Sequence, residues 1–208
     1  ALSAAVQKLL IEQNEEQLRK LLLSMLSERG QLDALMARYW NAGGLRAALF
    51  NYCGLSPNET EEQATEDMCS VSASAEASLR HASAVLSRAT GENEKKAAMH
   101  LPLWLDNVQD RRASLEAHLR VFLKSDGEIR ERGFPTKKIA ENHPEVVDAL
   151  RAESQRLHNC QEKIRMLRSI ELTSGLFLLG HEIVREYQQE KARLAKLDYD
   201  DMILKTLE

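Results

Sequence analysis

The chain has 208 residues, 43% of them hydrophobic and 29% charged, with a net charge of −4. These are the proportions of one large or two small folded domains. They exclude a whole-domain basic field, so a nucleic-acid contact would have to be a local patch.

Aromatic residues make up 5%, with only 9 glycines and 4 prolines. Few turn formers and abundant Leu, Ala, Glu and Arg predict an all-α protein. No run approaches the ~20 apolar residues of a membrane span. The longest, Leu176 to Leu179, is flanked by Gly175 and Gly180. The start carries no secretory pattern, and the three widely spaced cysteines, Cys53, Cys69 and Cys160, read as free thiols of a cytoplasmic protein.

In chain order, Val6, Leu9 and Leu10 mark a first helix. Leu18, Leu21, Leu22, Met25 and Leu26 mark a second, with Gly30 as its expected C-cap. Leu32, Leu35, Met36 and Tyr39 give a short helix that ends by Gly44. Leu45 to Tyr52 gives another, stopped by Gly54. Ser56-Pro57 reads as an N-cap and first helical residue, opening a helix whose acidic first turn suits the helix dipole. Ser72 to Ala89 is an Ala/Ser-rich helix, followed by a turn at Thr90 to Asn93. Short helices joined by short turns over residues 1–100 predict a compact helical cluster.

The second half reads differently. Leu101, Leu105, Val108, Leu115, Leu119 and Phe122 form one stripe, predicting a helix that runs to about Leu123. The segment 124–143 is loop-like. Pro144 then opens a very long helix on which Leu150, Leu157 and Ile164 recur every seven residues, with a kink expected near Thr173-Ser174-Gly175. The expectation is a long antiparallel helical hairpin over 101–196, with the 124–143 loop at its far end.

Catalytic motifs are sparse. Gly43-Gly44 and Gly175 lack the context of a phosphate-binding loop. His181-Glu182 begins a His-Glu-x-x-His pattern that fails at Arg185. His158 and Cys160 lie two apart on a helix, a poor geometry for one metal. His81, His100, His118 and His143 read as isolated surface or packing residues. Asp198, Asp200 and Asp201 are more naturally helix caps than a carboxylate site. Basic residues gather around the loop and the adjoining helix: Lys124, Arg130, Arg132, Lys137, Lys138, Arg165 and Arg168. Such residues can hold a phosphate backbone without reading sequence, or form an ordinary solvated face.

The tail Leu197-Asp198-Tyr199-Asp200-Asp201-Met202-Ile203 resembles the LDFDDLI segment of UvrD/RecB-class superfamily 1 helicases, with Tyr for Phe and Met for Leu. In that family the segment leads from a helical accessory subdomain, called 1B, back into the first RecA-like motor domain. Leu45-Arg46-Ala47-Ala48-Leu49, Gly54 to Thr60, Val121-Phe122-Leu123-Lys124 and Leu172 to Leu176 are similar to the 1B region of bacterial AddA proteins, the RecB-like helicase-nuclease subunits. The apolar pattern already under way at Ala1-Leu2 and running through Glu208 fits an excised segment.

The resemblance implies that residues 1–196 form the accessory subdomain and 197–208 begin the return to the motor. It implies a parent that uses ATP and magnesium to unwind and degrade DNA from double-strand ends, with an AddB-like partner subunit. This stretch itself would hold no cofactor and no catalytic motif. Its expected role is contact with duplex or single-stranded DNA. The alternative is a docking module for the partner subunit that touches no DNA.

Overall fold

A computed structural model of the chain describes residues 4–12, 14–39, 44–130 and 134–194. The described residues are all-α. Among them are ten α-helices and one 3-10 turn, and the one β-type pairing among the described residues is an isolated antiparallel bridge between Leu123 and Ile129. No described helix is long and apolar enough to cross a membrane. The chain divides into two compact units, residues 1–58 with 166–208, and residues 59–165.

In the first unit, α1 (Ala4–Glu12) is followed by α2 (Glu15–Ser27). Asn14 caps α2 by accepting from the Glu16 amide at 2.9 Å, and Glu15 and Glu16 sit in its positive first turn. Gly30 is not the C-cap. The chain turns at Glu28, with φ −110° and ψ 26°, and α3 (Arg29–Tyr39) takes Gly30 into its first turn. Next comes α4 (Gly44–Tyr52), which closes at Gly54 with φ +68°, a backbone conformation suited to glycine. The unit is completed by the part of α10 (Pro144–Arg193) from Met166 onward. Leu32, Met36, Leu45 and Val184 form one buried cluster, and Phe50, Leu167 and Ile170 another.

No break in α10 occurs at Thr173 to Gly175. Ser174 and Gly175 are buried within the continuous helix. One turn on, Gly180 lets α2 approach closely: a Cβ there would lie 2.6 Å from the Met25 Cε. Gly180 thus serves close packing.

The second unit starts with α5 (Glu61–Cys69). The helix does not open at Ser56-Pro57. Thr60 is the cap and accepts from the Gln63 amide at 3.1 Å, with Glu61 and Glu62 following it. Helix α6 (Ala73–Leu86), capped by Ser72, packs against α7 (Glu92–Asp106) through Leu79, Ala82, Leu86, Ala97 and Leu101.

Pro102 lies inside α7 and cannot donate to the Ala98 carbonyl four residues back. The hydroxyl of Ser83, on α6, donates to that carbonyl at 3.0 Å. Ser83→Ala should therefore lower stability by about 1–2 kcal/mol, the cost of a lost buried hydrogen bond. Urea unfolding checks this, and an unchanged midpoint would show that water takes over the carbonyl.

The helix expected to run from Leu101 to Leu123 is interrupted. Helix α7 ends at Asp106, a 3-10 turn covers Val108–Asp110, and α8 covers Leu115–Phe122. The cause is Arg111, which is 4% exposed. Its guanidinium donates to the carbonyls of Trp104 and Leu105 in the last turn of α7, each at 3.1 Å, and to that of Cys69 at 3.1 Å. These bonds fold the chain back where the apolar stripe alone would have continued it. The first arm of the expected hairpin is thus broken into shorter helices among the described residues.

The 124–143 loop is more ordered than its composition suggests. Residues 124–129 form a tight turn, with the Lys124 amide donating to Glu128 O at 2.8 Å and the Arg130 amide to Phe122 O at 3.1 Å. A short helix, α9 (Lys137–Asn142), follows. Trp104, Phe122, Leu79, Leu86, Leu101 and Leu157 are central to the core of this unit.

Candidate nucleic-acid interface

The cations predicted around the loop fall into two groups. Lys124, Lys137 and Lys138 are exposed. Arg130 and Arg165 hold the backbone. The Arg130 Nε donates to Leu123 O at 2.9 Å, and Arg165 bonds Asp126 O and pairs with Glu162. Gly127, with φ +86°, lets this turn lie against α10: a Cβ would fall 2.2 Å from an Arg165 amine, and His158 bonds the Gly127 carbonyl at 3.1 Å. Arg168 is exposed and belongs to the other unit. Arg132 and the motif Leu197, Asp198, Tyr199, Asp200 and Asp201 lie outside the described residues.

Beside this turn is a cleft of about 640 Å³. Its polar lining is Asn93 and Lys96, with His100, from α7, Glu116 and Arg120 from α8, and Arg130. Three permanent cations face one carboxylate, and that carboxylate, Glu116, pairs with Arg120. Arg130 also lines a second cleft of about 450 Å³, together with Arg151. Lys96, Arg120 and His100 were not among the sequence candidates. They come from two separate helices, and nothing in their spacing announced a shared cleft.

Behind the cleft lies a buried polar network. The His118 Nε2 meets Glu153 Oε1 at 2.9 Å, with both side chains almost wholly buried. A carboxylate only accepts, so His118 donates through Nε2 and presents a lone pair at Nδ1. The His100 Nε2 lies 3.2 Å from that Nδ1 and supplies the proton. Arg156 closes the network, donating to Glu153 Oε2 from Nε and to Oε1 from a terminal amine, each at 2.8 Å. The sequence reading of His100 and His118 as isolated residues is thereby corrected. His81 and His143 are not isolated either: both approach Glu145 Oε1, at 3.4 and 3.2 Å.

The electrostatics follow from burial and pairing. Burial pushes the Glu153 carboxyl up, but the bonds from Arg156 and His118, with their charges, outweigh it and hold the group down at about 2. Burial depresses His118 below the ordinary imidazole value despite its bond to Glu153. Burial also depresses His100, with His118 adding to the effect. Trp104 stacks on His118, with ring centroids 3.9 Å apart and planes 6° from parallel, sealing the network from the core side.

The cysteines are free and half-buried, and burial raises the Cys69 and Cys160 thiols, so neither is poised as a thiolate. Among the described residues no group of three or more His, Cys, Asp or Glu is placed to hold a metal ion. Fold and site together define an all-helical chain with a basic cleft backed by a His–His–Glu–Arg network. No protein-family model, curated protein or solved structure matches it.

Proposed function

We propose that this chain is the DNA-engaging accessory helical subdomain of an AddA-type ATP-dependent helicase-nuclease, acting in double-strand break repair and recombination. The observation that carries the reading is the Leu197-to-Ile203 segment, with its likeness to the helicase return into the motor domain. The all-α architecture accords with it. The DNA-facing part of the proposal draws on the exposed Lys124, Lys137 and Lys138 and on the basic cleft of the second unit. ATP, magnesium, an AddB-like partner and a cytoplasmic setting belong to the parent in this reading. The chain alone is expected to hydrolyse no ATP.

The test is fluorescence anisotropy with a blunt duplex and with a single strand. If about three phosphates are neutralised, affinity should fall about 40-fold between 50 and 200 mM salt. The triple variant Lys124→Glu, Lys137→Glu, Lys138→Glu should bind at least tenfold more weakly at low salt, with an unchanged circular dichroism spectrum. Absence of binding by the unmodified chain at low salt would sink the reading.

One observation favours the docking alternative. Met99 and Leu103, one turn apart on α7, and Val108 just beyond it are 74%, 67% and 62% exposed. A partner subunit seated there would bind with little salt dependence, and Leu103→Asp would remove it while leaving DNA binding intact.

A further inference from the structure

We propose that the cleft of the second unit seats one phosphate group and that its grip is coupled to a proton taken up by His100. The inference rests on the DNA reading for the source of the phosphate, a backbone phosphodiester, and not for the site itself.

Of the four side chains in the network, His100 alone lines the cleft. Its Nε2–H is committed inward to His118, which in turn donates to Glu153. The ring therefore has one nitrogen, Nδ1, left for a ligand. While the ring is neutral that nitrogen is a lone pair, which a phosphodiester oxygen cannot use. Once protonated it becomes a donor, and the inward bond survives unchanged.

The charges around His100 decide when that happens. Lys96 lies one turn back on α7, Glu116 and Arg120 line the cleft from α8, and Arg130 lines it from the turn. Behind the ring stand His118 and then Glu153, whose two carboxylate oxygens are already engaged by the Nε and one terminal nitrogen of Arg156. Glu153 is thus a weak counter-charge for an imidazolium at His100. Three cations to one carboxylate also oppose it, as does burial. An anion entering the cleft reverses this balance: it meets Lys96, Arg120 and Arg130 and supplies the charge that a protonated His100 lacks. Anion and proton then each favour the other, and the coupling is reciprocal.

The test uses the whole chain and a fluorescent oligothymidylate, whose phosphodiesters and bases do not titrate between about pH 6 and 8. Sulfate, likewise non-titrating, serves as the small competitor. Binding is expected to be at least threefold tighter at about pH 6 than at about pH 8. His100→Gln should flatten that profile, and Lys96→Glu should weaken binding at both pH values. By NMR, sulfate should raise the midpoint at which the His100 ring titrates in the unmodified chain, a readout that needs no variant to fold. A flat pH profile, or one unchanged in His100→Gln, overturns the inference while leaving the DNA reading standing. A sulfate-dependent His100 midpoint without oligonucleotide binding does the reverse. If neither probe binds at low salt, both fail.

Discussion

Replacing Glu153 with alanine should destabilise the protein by about 3–5 kcal/mol, the usual result of removing one partner from a buried charge pair. The carboxylate is 3% exposed and neutralises Arg156 while accepting from His118. Its removal leaves a half-buried guanidinium without a counter-charge and a buried imidazole N–H without an acceptor. Glu153→Gln keeps the shape and loses the charge, so it should fall between the two. Acid should reach the same network. Glu153 has its ordinary value near 4.5 when unfolded and about 2 when folded, so its contribution is complete above 4.5 and is lost as pH falls toward 2. His118 is also depressed, from 6.5, so its contribution is complete above 6.5 and declines below it. Both groups act in one direction. The melting temperature should fall steadily from about pH 6.5 downward, and the part below 4.5 should shrink in Glu153→Gln. Urea midpoints across this range check both statements. A midpoint for Glu153→Ala within 1 kcal/mol of the parent would mean that water or Arg156 rearrangement replaces the pair.

Trp104→Ala should cost a similar amount, about 3–5 kcal/mol. The indole is 1% exposed, stacks on His118, and sits in the largest apolar cluster of the second unit. Trp104→Phe should cost much less than its change in volume suggests. The indole N–H is buried without a hydrogen-bond partner among the described residues, so phenylalanine removes an unpaired donor together with the extra ring. Denaturant unfolding of the two variants separates these terms. Losses in proportion to the volume removed in each variant would show that the cavity alone sets the cost.

Much of the fold was legible because it depends on local chemistry. Pro144 opens α10 as its position suggested, Ser72 caps α6, and Gly54 ends α4. The failures share a cause. The stripe from Leu101 to Phe122 keeps its period across the break at 107–114, yet Val108 is exposed and Arg111 is buried. Periodicity cannot register an arginine whose partners are main-chain carbonyls from other helices. The apolar spacing drifts near Gly175 and suggests a kink or break, whereas the glycine is buried in a continuous helix. The candidate site was less legible still. The loop cations were visible as a cluster, but the cleft joins residues 93 to 130, and the network behind it joins 100, 118, 153 and 156. Each pair within it is an ordinary surface combination until the fold removes the water.

Helix α5 ends on borrowed cations. Its last turn contains no basic residue. Its closing carbonyls at Asp67 and Met68 are bound by Arg156, and that of Cys69 by Arg111. During synthesis the chain emerges from its N-terminus, so the C-terminal end of α5 stays unfinished until residue 156 has left the ribosome. The first helix of the second unit is therefore completed by nearly the last residues of that unit to be made.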